Sequence, residues 1–488
     1  MLAHGRGQPH TWRVVRDADC LLPAKQPGRV MLYEPILRHF LFPAYETVVA
    51  RRGTAAYVRE YAQSQWLSAD ELCRIQLEKL NRLLAHCWRE VPFLRAYWSE
   101  HGLRERPLRQ ITELEAYPTI TKQLITANYE GMTALSWRGN TLSKTTGGST
   151  GVPFRFEYTM DSYARRTAVM WRGYDWAGAG LGVRTAYLWG SGPAKAGWPE
   201  LKDRLYRRAF NRRLFDAFGL REDNIDRYID EIGAYRPRAL VGYVAPVALV
   251  ARRMLQTGRR ISGLRGLVTG AEALYDAERT DIEAAFGCKV FNTYGTREVM
   301  LIAAECSQHN GLHINSDHLV IETLDVTGAL VMEASGDIAV TDLHNYGMPM
   351  VRYLNGDRGT LTPRQCICGR GLPLMESVDG RVLDMIRTPD GRQLLGEFFV
   401  YVMLEWPEVK QWQVVQTALD CVQFRLVVDE PWPIARGDLL RARVQAKSGP
   451  AMRVEVVEVD KIANAASGKR RLTVSLERAE SALGHNAP

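Results

Sequence analysis

The stretch Lys144-Thr145-Thr146-Gly147-Gly148-Ser149-Thr150-Gly151-Val152-Pro153 gathers hydroxyls and glycines into one short run. Glycine lets backbone N–H groups converge on an anion in conformations that a Cβ forbids, and Ser and Thr hydroxyls donate further hydrogen bonds to phosphate oxygens. The run therefore predicts close approach to phosphate. A flexible surface loop is the alternative, because such clusters between periodic segments are usually loops.

The run does not match the two commonest nucleotide fingerprints. It lacks the Gly-Lys-Ser/Thr ending of a Walker loop and the spacing of a dinucleotide-binding turn. Two other turns, Gly270-Ala271-Glu272 and the segment 292–298 (Asn-Thr-Tyr-Gly-Thr-Arg-Glu), follow strand-like runs. Because ligands of open α/β sheets bind beyond the carboxyl ends of strands, both turns could face one pocket.

Composition sets broad limits. The chain has 488 residues, 46% of them hydrophobic and 24% charged, so it is globular and too long for one compact core. The net charge of +8 comes from scattered Lys and Arg, which argues against a nucleic-acid partner and suits small anionic ligands. No apolar run is long enough to span a bilayer and residues 1–30 show no secretion signal, so we expect a cytoplasmic protein without a transmembrane segment.

The pattern along the chain predicts two domains. Residues 1–30 are irregular, residues 31–104 are mainly helical, and from about 140 to 380 strand-like runs alternate with helices, which predicts an α/β core with largely parallel sheets. The apolar run 31–50 could lie on a membrane surface, but docking on the protein itself is favoured. After residue 380 the pattern changes to that of a small α+β unit. We therefore predict a large domain over residues 1–383 and a small mobile domain over 384–488.

Three further motifs follow in order. They are residues 351–358 (Val-Arg-Tyr-Leu-Asn-Gly-Asp-Arg), residues 379–386 (Asp-Gly-Arg-Val-Leu-Asp-Met-Ile) and residues 466–471 (Ala-Ser-Gly-Lys-Arg-Arg). Each is weak alone. Together with the Gly-rich run and the two turns, they resemble the ordered motifs of the adenylate-forming (AMP-binding) superfamily. The chain is most similar to its phenylacetate-CoA ligase and CapK-like branch, through Val91-Pro92-Phe93, residues 311–314 and Cys366-x-Cys368-Gly369-Arg370.

The resemblance implies an enzyme that activates a carboxylic acid with ATP and Mg²⁺. It implies catalytic roles for Lys469, Arg381 and Glu298, with Glu298 also holding Mg²⁺, and a hinge at Asp384. It implies a ribose-binding role for Asp357. The other ATP contacts that it implies are Thr146, Gly147, Gly148, Ser149, Thr150, Gly151, Gly270, Ala271, Glu272, Asn292, Tyr294, Gly295 and Thr296. Val152, Arg297 and Leu383 depart from the family pattern.

The resemblance also places substrate contacts at Tyr187, Trp189, Gly242 and Tyr243, and aromatic residues there suit an aryl or arylacetic acid. Coenzyme A is the favoured acceptor. A carrier-protein thiol, an amine, a role in polysaccharide decoration and a noncatalytic nucleotide-binding scaffold are alternatives, and a homodimer stays open.

The eight cysteines are too few for a disulfide framework. Cys366 and Cys368, one residue apart, cannot comfortably bridge each other but can face one metal ion. Cys306 and His313 complete a Cys₃His set, with His309 as the competing ligand. This set predicts a structural Zn²⁺; three unrelated buried thiols are the alternative.

Overall fold

The computed structural model describes residues 33–145, 154–190, 198–217, 220, 223–381, 386–390, 393–394, 399, 402–403, 406, 408–462 and 473–476. The predicted loop residues 146–151, the departures Val152 and Leu383, the hinge residue Asp384 and Lys469 lie outside the described residues, as does the side chain of Arg381.

The first part of the chain is helical, as predicted. Residues 33–49 alternate between α-helical and π-helical turns. The α-helices that follow are Thr54–Ser64, Ala69–Glu90, Pro92–Glu100, Lys122–Ala127, Tyr129–Met132, Met160–Trp176, Trp198–Ala209, Ile225–Tyr235, Val244–Thr257, Asp276–Phe286 and Ile434–Ser448. Two 3₁₀ turns, Ile111–Ala116 and Leu135–Trp137, connect them.

The longest helix, Ala69–Glu90, shows how local sequence sets the bounds. Its side chains bury an apolar face at helical spacing, and Ser68 and Glu71 form a reciprocal capping box at its start. The helix ends at Val91, which is extended, because Pro92 cannot continue it and instead begins the next helix.

Strands occur within the segment from about 140 to 380, where strand-like runs were predicted, and again after residue 385. They are β1 Leu142–Thr145, β2 Arg155–Tyr158, β3 Thr185–Trp189, β4 Arg212–Asp216, β5 Ala239–Tyr243, β6 Gly266–Gly270, β7 Val290–Thr296, β8 Met300–Glu305, β9 Leu312–Ile314, β10 Leu319–Leu324, β11 Ser335–Asp342, β12 Tyr353–Thr362, β13 Leu374–Arg381, β14 Ile386–Arg387, β15 Gln393–Leu394, β16 Gln411–Ala418, β17 Cys421–Val427, β18 Arg453–Glu458 and β19 Thr473–Val474.

The main sheet has eleven strands in the order β10-β11-β12-β13-β9-β8-β7-β6-β5-β3-β4. Strands β3 to β7 pair in parallel, with helices between them in sequence, whereas β7 to β13 pair antiparallel. The prediction of largely parallel sheets is therefore wrong for the second half. Antiparallel neighbours need only short connections, so alternation with helices ends at Phe286.

Strand β7 also extends further than predicted. The motif 292–298 was expected after the strand, but Asn292–Thr296 lie within it. A bulge between Tyr294 and Gly295 bends the strand, and a Cβ on Gly295 would stand 1.9 Å from the Met300 carbonyl oxygen. Glycine is therefore required where β7 turns back into β8.

A separate hydrophobic cluster lies beyond residue 385. Ile386, Phe399, Val414, Phe424 and Leu440 are among its buried members, and within the part of the chain that the structure describes none of its members comes from before residue 386. The four-stranded sheet β18-β17-β16-β19 contributes three of its strands to this cluster, together with the helix Ile434–Ser448. The predicted combination of helix and strands after residue 380 is present. The domain boundary at 383/384 stays a prediction.

The helical run 33–49 docks one face on the protein, as favoured from the sequence. Leu37 and Phe42 are buried, and the Phe42 ring meets Phe210 edge-on at 5.9 Å. Among the described helices, none is long and apolar enough to cross a membrane.

Candidate active site

Two of the predicted nucleotide contacts meet although 63 residues separate them. The Tyr294 hydroxyl donates to Oδ2 of Asp357 at 2.9 Å, and Asn355 Nδ2 donates to the same hydroxyl at 2.7 Å. Asn355 Oδ1 also accepts from the Asp357 backbone N–H. Asp357 is only 7% exposed. Its carboxylate is thus fixed in one orientation beside an aromatic ring.

Glu298 lies in the turn between β7 and β8 and is only 3% exposed, so it is not a solvated surface carboxylate. Its Oε1 accepts from the Tyr353 hydroxyl at 3.0 Å and lies 3.3 Å from Lys122 Nζ. A buried carboxylate needs such partners, because an unpaired buried charge is costly. The Glu298 carboxyl group is therefore held at a defined position.

The Gly-rich run connects two strands that lead to this carboxylate. β1 and β2 pair antiparallel, with Thr145 opposite Arg155. Phe154, the first described residue after the run, is buried and stacks on the Tyr353 ring at 6.2 Å. Since the Tyr353 hydroxyl bonds Glu298, the exit of the run is anchored next to Glu298.

The backbone of the turn after β6 passes close to β7 and is strained at one residue. A Cβ on Gly270 would lie 2.6 Å from Thr293 Oγ1, and Ala271 takes a positive φ of 68°. Glu272 has a role that the sequence did not suggest, since its Oε2 accepts from the Ala245 backbone N–H at the start of a helix.

Thr296 and Asn292 occupy β7 beside this turn. The buried Thr296 Oγ1 has no hydrogen-bond partner among the residues that the structure describes. Buried hydroxyls are nearly always paired, so this one fits a bound polar ligand. Asn292 is half-buried, and its backbone N–H donates to Glu305 Oε2.

Three of the four predicted substrate residues share one face of the sheet. Tyr187 pairs with Val241 in the register of β3 and β5, and side chains alternate between faces, so Tyr187, Trp189 and Tyr243 point the same way. The Trp189 and Tyr243 rings lie 4.1 Å apart. Gly242 faces the opposite side, where a Cβ would stand 2.5 Å from Val247 Cγ2, and its role as a substrate contact stays a prediction.

Arg381 can be located only by its backbone. It stands opposite Asp357 in the antiparallel pairing of β12 and β13, so the two predicted residues share one register position. The end of β13 therefore lies beside the candidate ribose-binding carboxylate.

Lys122 and Tyr353 were missed from the sequence. Lys122 begins a short helix capped by Thr121, and the chain there is fixed by hydrogen bonds between Ile120 and β12. No motif surrounds Lys122, and 176 residues separate it from Glu298. Tyr353 lies inside the segment that the sequence selected for Asp357, and alternation along a strand is the one signal that would have found it.

The predicted metal ligands converge. Their ligand atoms all lie within 4.8 Å of one another, and the set is Cys306, His313, Cys366 and Cys368. Cys306 Sγ lies 3.7 Å from Cys366 Sγ, and Cys368 Sγ lies 3.3 Å from His313 Nε2. His309, the competing ligand, is instead bonded to Glu305 Oε2 at 3.1 Å.

The surroundings of the group suit a tetrahedral metal. His313 Nδ1 lies 3.2 Å from the Leu372 carbonyl oxygen, which leaves Nε2 for a metal. Burial lowers the pKa of His313 to about 4, so its imidazole is neutral near pH 7. Burial raises the pKa of Cys306 to about 12. A bound cation would favour the thiolate there, and three thiolates with one imidazole form a closed zinc set.

A loop contact links this group to the helical start of the chain. The Arg370 guanidinium lies over both the Trp66 ring (4.6 Å) and the Trp176 ring (4.7 Å), and its Nε donates to Gln65 Oε1. A Cβ on Gly371 would stand 2.0 Å from the Leu67 carbonyl oxygen, so the loop after the last cysteine packs tightly on the turn between two helices. The loop that carries Cys366 and Cys368 is therefore packed against the helices at the start of the chain.

Comparison with known proteins agrees with the resemblance. No protein-family model matches the chain. A phenylacetate-coenzyme A ligase of Thermus thermophilus is 28% identical over 384 residues, which cover 75% of this chain and 83% of the relative. Protein CapK of Staphylococcus aureus is 26% identical over 309 residues, covering 63% and 66% of the two chains.

Among solved structures, a 2-hydroxyisobutyryl-CoA ligase in the postadenylation state, in complex with R3-HIB-AMP, aligns with a TM-score of 0.67. The alignment covers 87% of this chain and 94% of the ligase at 20% identity. The chain is thus similar in sequence to phenylacetate-CoA ligases and to CapK, and it has the fold of the adenylate-forming enzymes.

Proposed function

We propose that the protein activates a carboxylic acid with ATP and Mg²⁺ as an acyl-adenylate and passes the acyl group to coenzyme A. The observation that carries the proposal is the convergence of a buried, partnered Glu298 with the exit of the Gly-rich run. The fixed pair of Tyr294 and Asp357 supports it as well. The relatives named as coenzyme A ligases favour coenzyme A as acceptor.

The proposed chemistry uses the charges of this chain. Asp357 accepts the ribose hydroxyls, beside the Tyr294 ring, which offers a surface for the adenine. Glu298 would hold Mg²⁺, which would supply positive charge against the phosphates. Lys122, 3.3 Å from Glu298, brings to the phosphates a cation that Val152 does not provide in the Gly-rich run.

Activation is needed because a carboxylate is a poor electrophile, whereas the mixed anhydride with AMP has a good leaving group. As the carboxylate oxygen bonds to the α-phosphorus, the bond to pyrophosphate breaks and negative charge builds on the leaving oxygens. Lys469 stabilises that charge in the proposal, and Arg381 supports it. The small domain, 384–488, then turns about Asp384 to admit the thiol.

We propose an aryl or arylacetic acid as substrate. Tyr187, Trp189 and Tyr243 share one face of the parallel strands, and the close ring pair of Trp189 and Tyr243 supports this choice. Flat aromatic walls pack well on an aromatic ring.

We propose in addition that Cys306, His313, Cys366 and Cys368 hold a structural Zn²⁺. All four tetrahedral positions would be filled by protein, so no water could be activated there. The ion would fix the loop between β12 and β13, and with it the strand that carries Asp357.

The experiment that tests the activity is acid-dependent pyrophosphate release by the Lys469→Ala variant. Loss of turnover with nearly intact ATP binding is expected, because the lysine acts on charge that develops in the transition state. Lys461→Ala, a change of an exposed lysine, is the matched control and should keep full turnover. Equal turnover of Lys469→Ala and wild type would overturn the assignment.

A further inference from the structure

The helical run 33–49 presents an apolar stripe to solvent. Ile36, Phe40, Ala44 and Val48 recur every four residues, which places them on one face of a helix. Phe40 is 70% exposed and Val48 is 72% exposed. Large apolar side chains exposed in a row are unusual on a soluble surface and mark contact sites.

The stripe is held outward by the contacts of the opposite face. Leu37 and Phe42 are buried, and Arg38 makes two hydrogen bonds, of 3.0 and 2.9 Å, to the Asp175 carboxylate. The Tyr33 hydroxyl donates to the Ala209 carbonyl oxygen at 2.5 Å. Because these contacts fix the rotation of the run, the stripe cannot turn inward without breaking them.

The neighbouring helix, Trp198–Ala209, extends this surface. The Tyr45 ring lies 5.8 Å from that of Tyr206, and on the same helix Leu201 and Leu205, four residues apart, are exposed. This helix contains the basic residues Lys202, Arg204, Arg207 and Arg208 and the acidic residues Glu200 and Asp203, and Arg204 and Arg208 are exposed at helical spacing from the two leucines. Apolar side chains and positive charge are thus combined on adjoining helices.

We propose that residues 33–49 and the helix Trp198–Ala209 form a docking surface for an anionic lipid bilayer. Apolar side chains with neighbouring cations are what an interfacial helix requires, and each Lys or Arg near an anionic surface adds attraction. Charge complementarity decides against a second copy of the chain, since a symmetric dimer would bring two basic helices together. The docking does not depend on the proposed ligase activity.

Sedimentation of the full chain with vesicles tests the proposal. One set of vesicles is pure phosphatidylcholine and the other contains phosphatidylcholine with phosphatidylglycerol. Binding is expected to the anionic vesicles and to weaken with added salt. The double variant Phe40→Ser/Val48→Ser should lower the partition coefficient by about tenfold or more, because two side chains no longer bury in the bilayer. Arg204→Gln/Arg208→Gln should lower it on anionic vesicles alone.

Val326→Ser is the matched control, since Val326 is 95% exposed in a turn between β10 and β11. It should bind like wild type, and circular dichroism should show all variants folded. The proposal fails if wild type does not bind anionic vesicles, or if Phe40→Ser/Val48→Ser binds equally well. It also fails if light scattering shows a dimer that this variant dissociates while vesicle binding is unchanged.

Discussion

The two halves of the eleven-stranded sheet place different chemistry. In the parallel half, β3 and β5 present aromatic rings, with Trp189 and Tyr243 4.1 Å apart. In the antiparallel half, strands far apart in sequence bring charged and hydroxyl groups together, as in Tyr294 with Asp357 and Glu298 with Tyr353. In the proposed site, the parallel half would therefore supply aromatic walls and the antiparallel half would supply the charge.

The largest effect is expected at the charge of the antiparallel half. Glu298→Gln should lower acid-dependent pyrophosphate release by about a thousandfold, because it removes the proposed ligand of Mg²⁺. Steady-state kinetics with varied Mg²⁺ measures it. Glu376→Gln, an exposed change on β13 in the same half, should leave turnover unchanged. Near-normal turnover of Glu298→Gln would show that the charge of Glu298 is not needed for the reaction.

The next effect concerns nucleotide binding. Asp357→Asn should raise the KM for ATP by about ten- to a hundredfold, since hydrogen bonds to a charged acceptor contribute roughly 1.5–3 kcal/mol. Asp337→Asn on the neighbouring strand β11 is the control, and it breaks an ion pair with Arg358 at 3.3 Å. An unchanged KM in Asp357→Asn would show that ribose binds elsewhere.

The proposed zinc site should affect the stability of the fold rather than the choice of acid substrate. Elemental analysis of protein purified without chelator should find about one zinc per chain. Cys366→Ser should lose the metal and lower the Tm, whereas Cys73→Ser, a change of an exposed thiol, should alter neither. Protein that contains no zinc would contradict the proposal.

Acid should destabilise the antiparallel half through two buried histidines. His318 and His344 stack at 5.2 Å. Burial lowers the pKa of His344 to about 2 and moves that of His318 well below its ordinary value. Above about pH 6.5 both are neutral in folded and unfolded protein, so they add no pH dependence. Below it, only the unfolded chain takes up protons, and the free energy of unfolding falls by up to about 1.4 kcal/mol per pH unit for each histidine.

Urea unfolding at several pH values between 7 and 5 measures this dependence. His344→Gln should reduce the slope, because the variant removes one of the two groups that must charge. His101→Gln, a change of an exposed histidine, should not alter the slope. A His344→Gln slope equal to that of wild type would exclude the histidine pair as its source.

The smallest effect is expected in the parallel half, at Gly242. It distinguishes a role of this glycine in packing from a role in contacting the substrate. Gly242→Ala should destabilise the fold by about 1–3 kcal/mol, because its Cβ would overlap Val247 Cγ2 and approach the Leu188 carbonyl oxygen. Gly233→Ala, in a helix with open space, should instead stabilise by about 0.4–1 kcal/mol. Thermal unfolding compares them. A changed acid preference with unaltered stability in Gly242→Ala would contradict this structural role and support Gly242 as a substrate contact.

The sequence was most predictive where a pattern is local. The runs around Ala239, Gly266 and Gln411 have the apolar and β-branched content of strands, and the observed strands begin at those residues. The grouping of Cys306, His313, Cys366 and Cys368 was also predicted, because thiol and imidazole side chains are recognisable as candidate metal ligands whatever the fold. The convergence of Tyr294 and Asp357 agrees with roles that rested on the resemblance.

Contacts between residues far apart in the chain could not be predicted from the sequence. Lys122 meets Glu298 only because Ile120 bonds to β12, and no local pattern encodes that contact. Antiparallel strands such as Met300–Glu305 have the same apolar content as parallel ones, so the direction of pairing was not visible. The side on which Gly242 faces depends on the register of β3 with β5, which is a tertiary property.

The central claim, acid activation by ATP and Mg²⁺ with transfer to coenzyme A, is tested most directly by pyrophosphate release. The panel comprises aryl, arylacetic, fatty and hydroxy acids, each with and without coenzyme A. Pyrophosphate release is expected with acids of one class and not with the others, and the product is expected to be a coenzyme A thioester. Silence of the folded protein across the panel, with Mg²⁺ and ATP present, would contradict it.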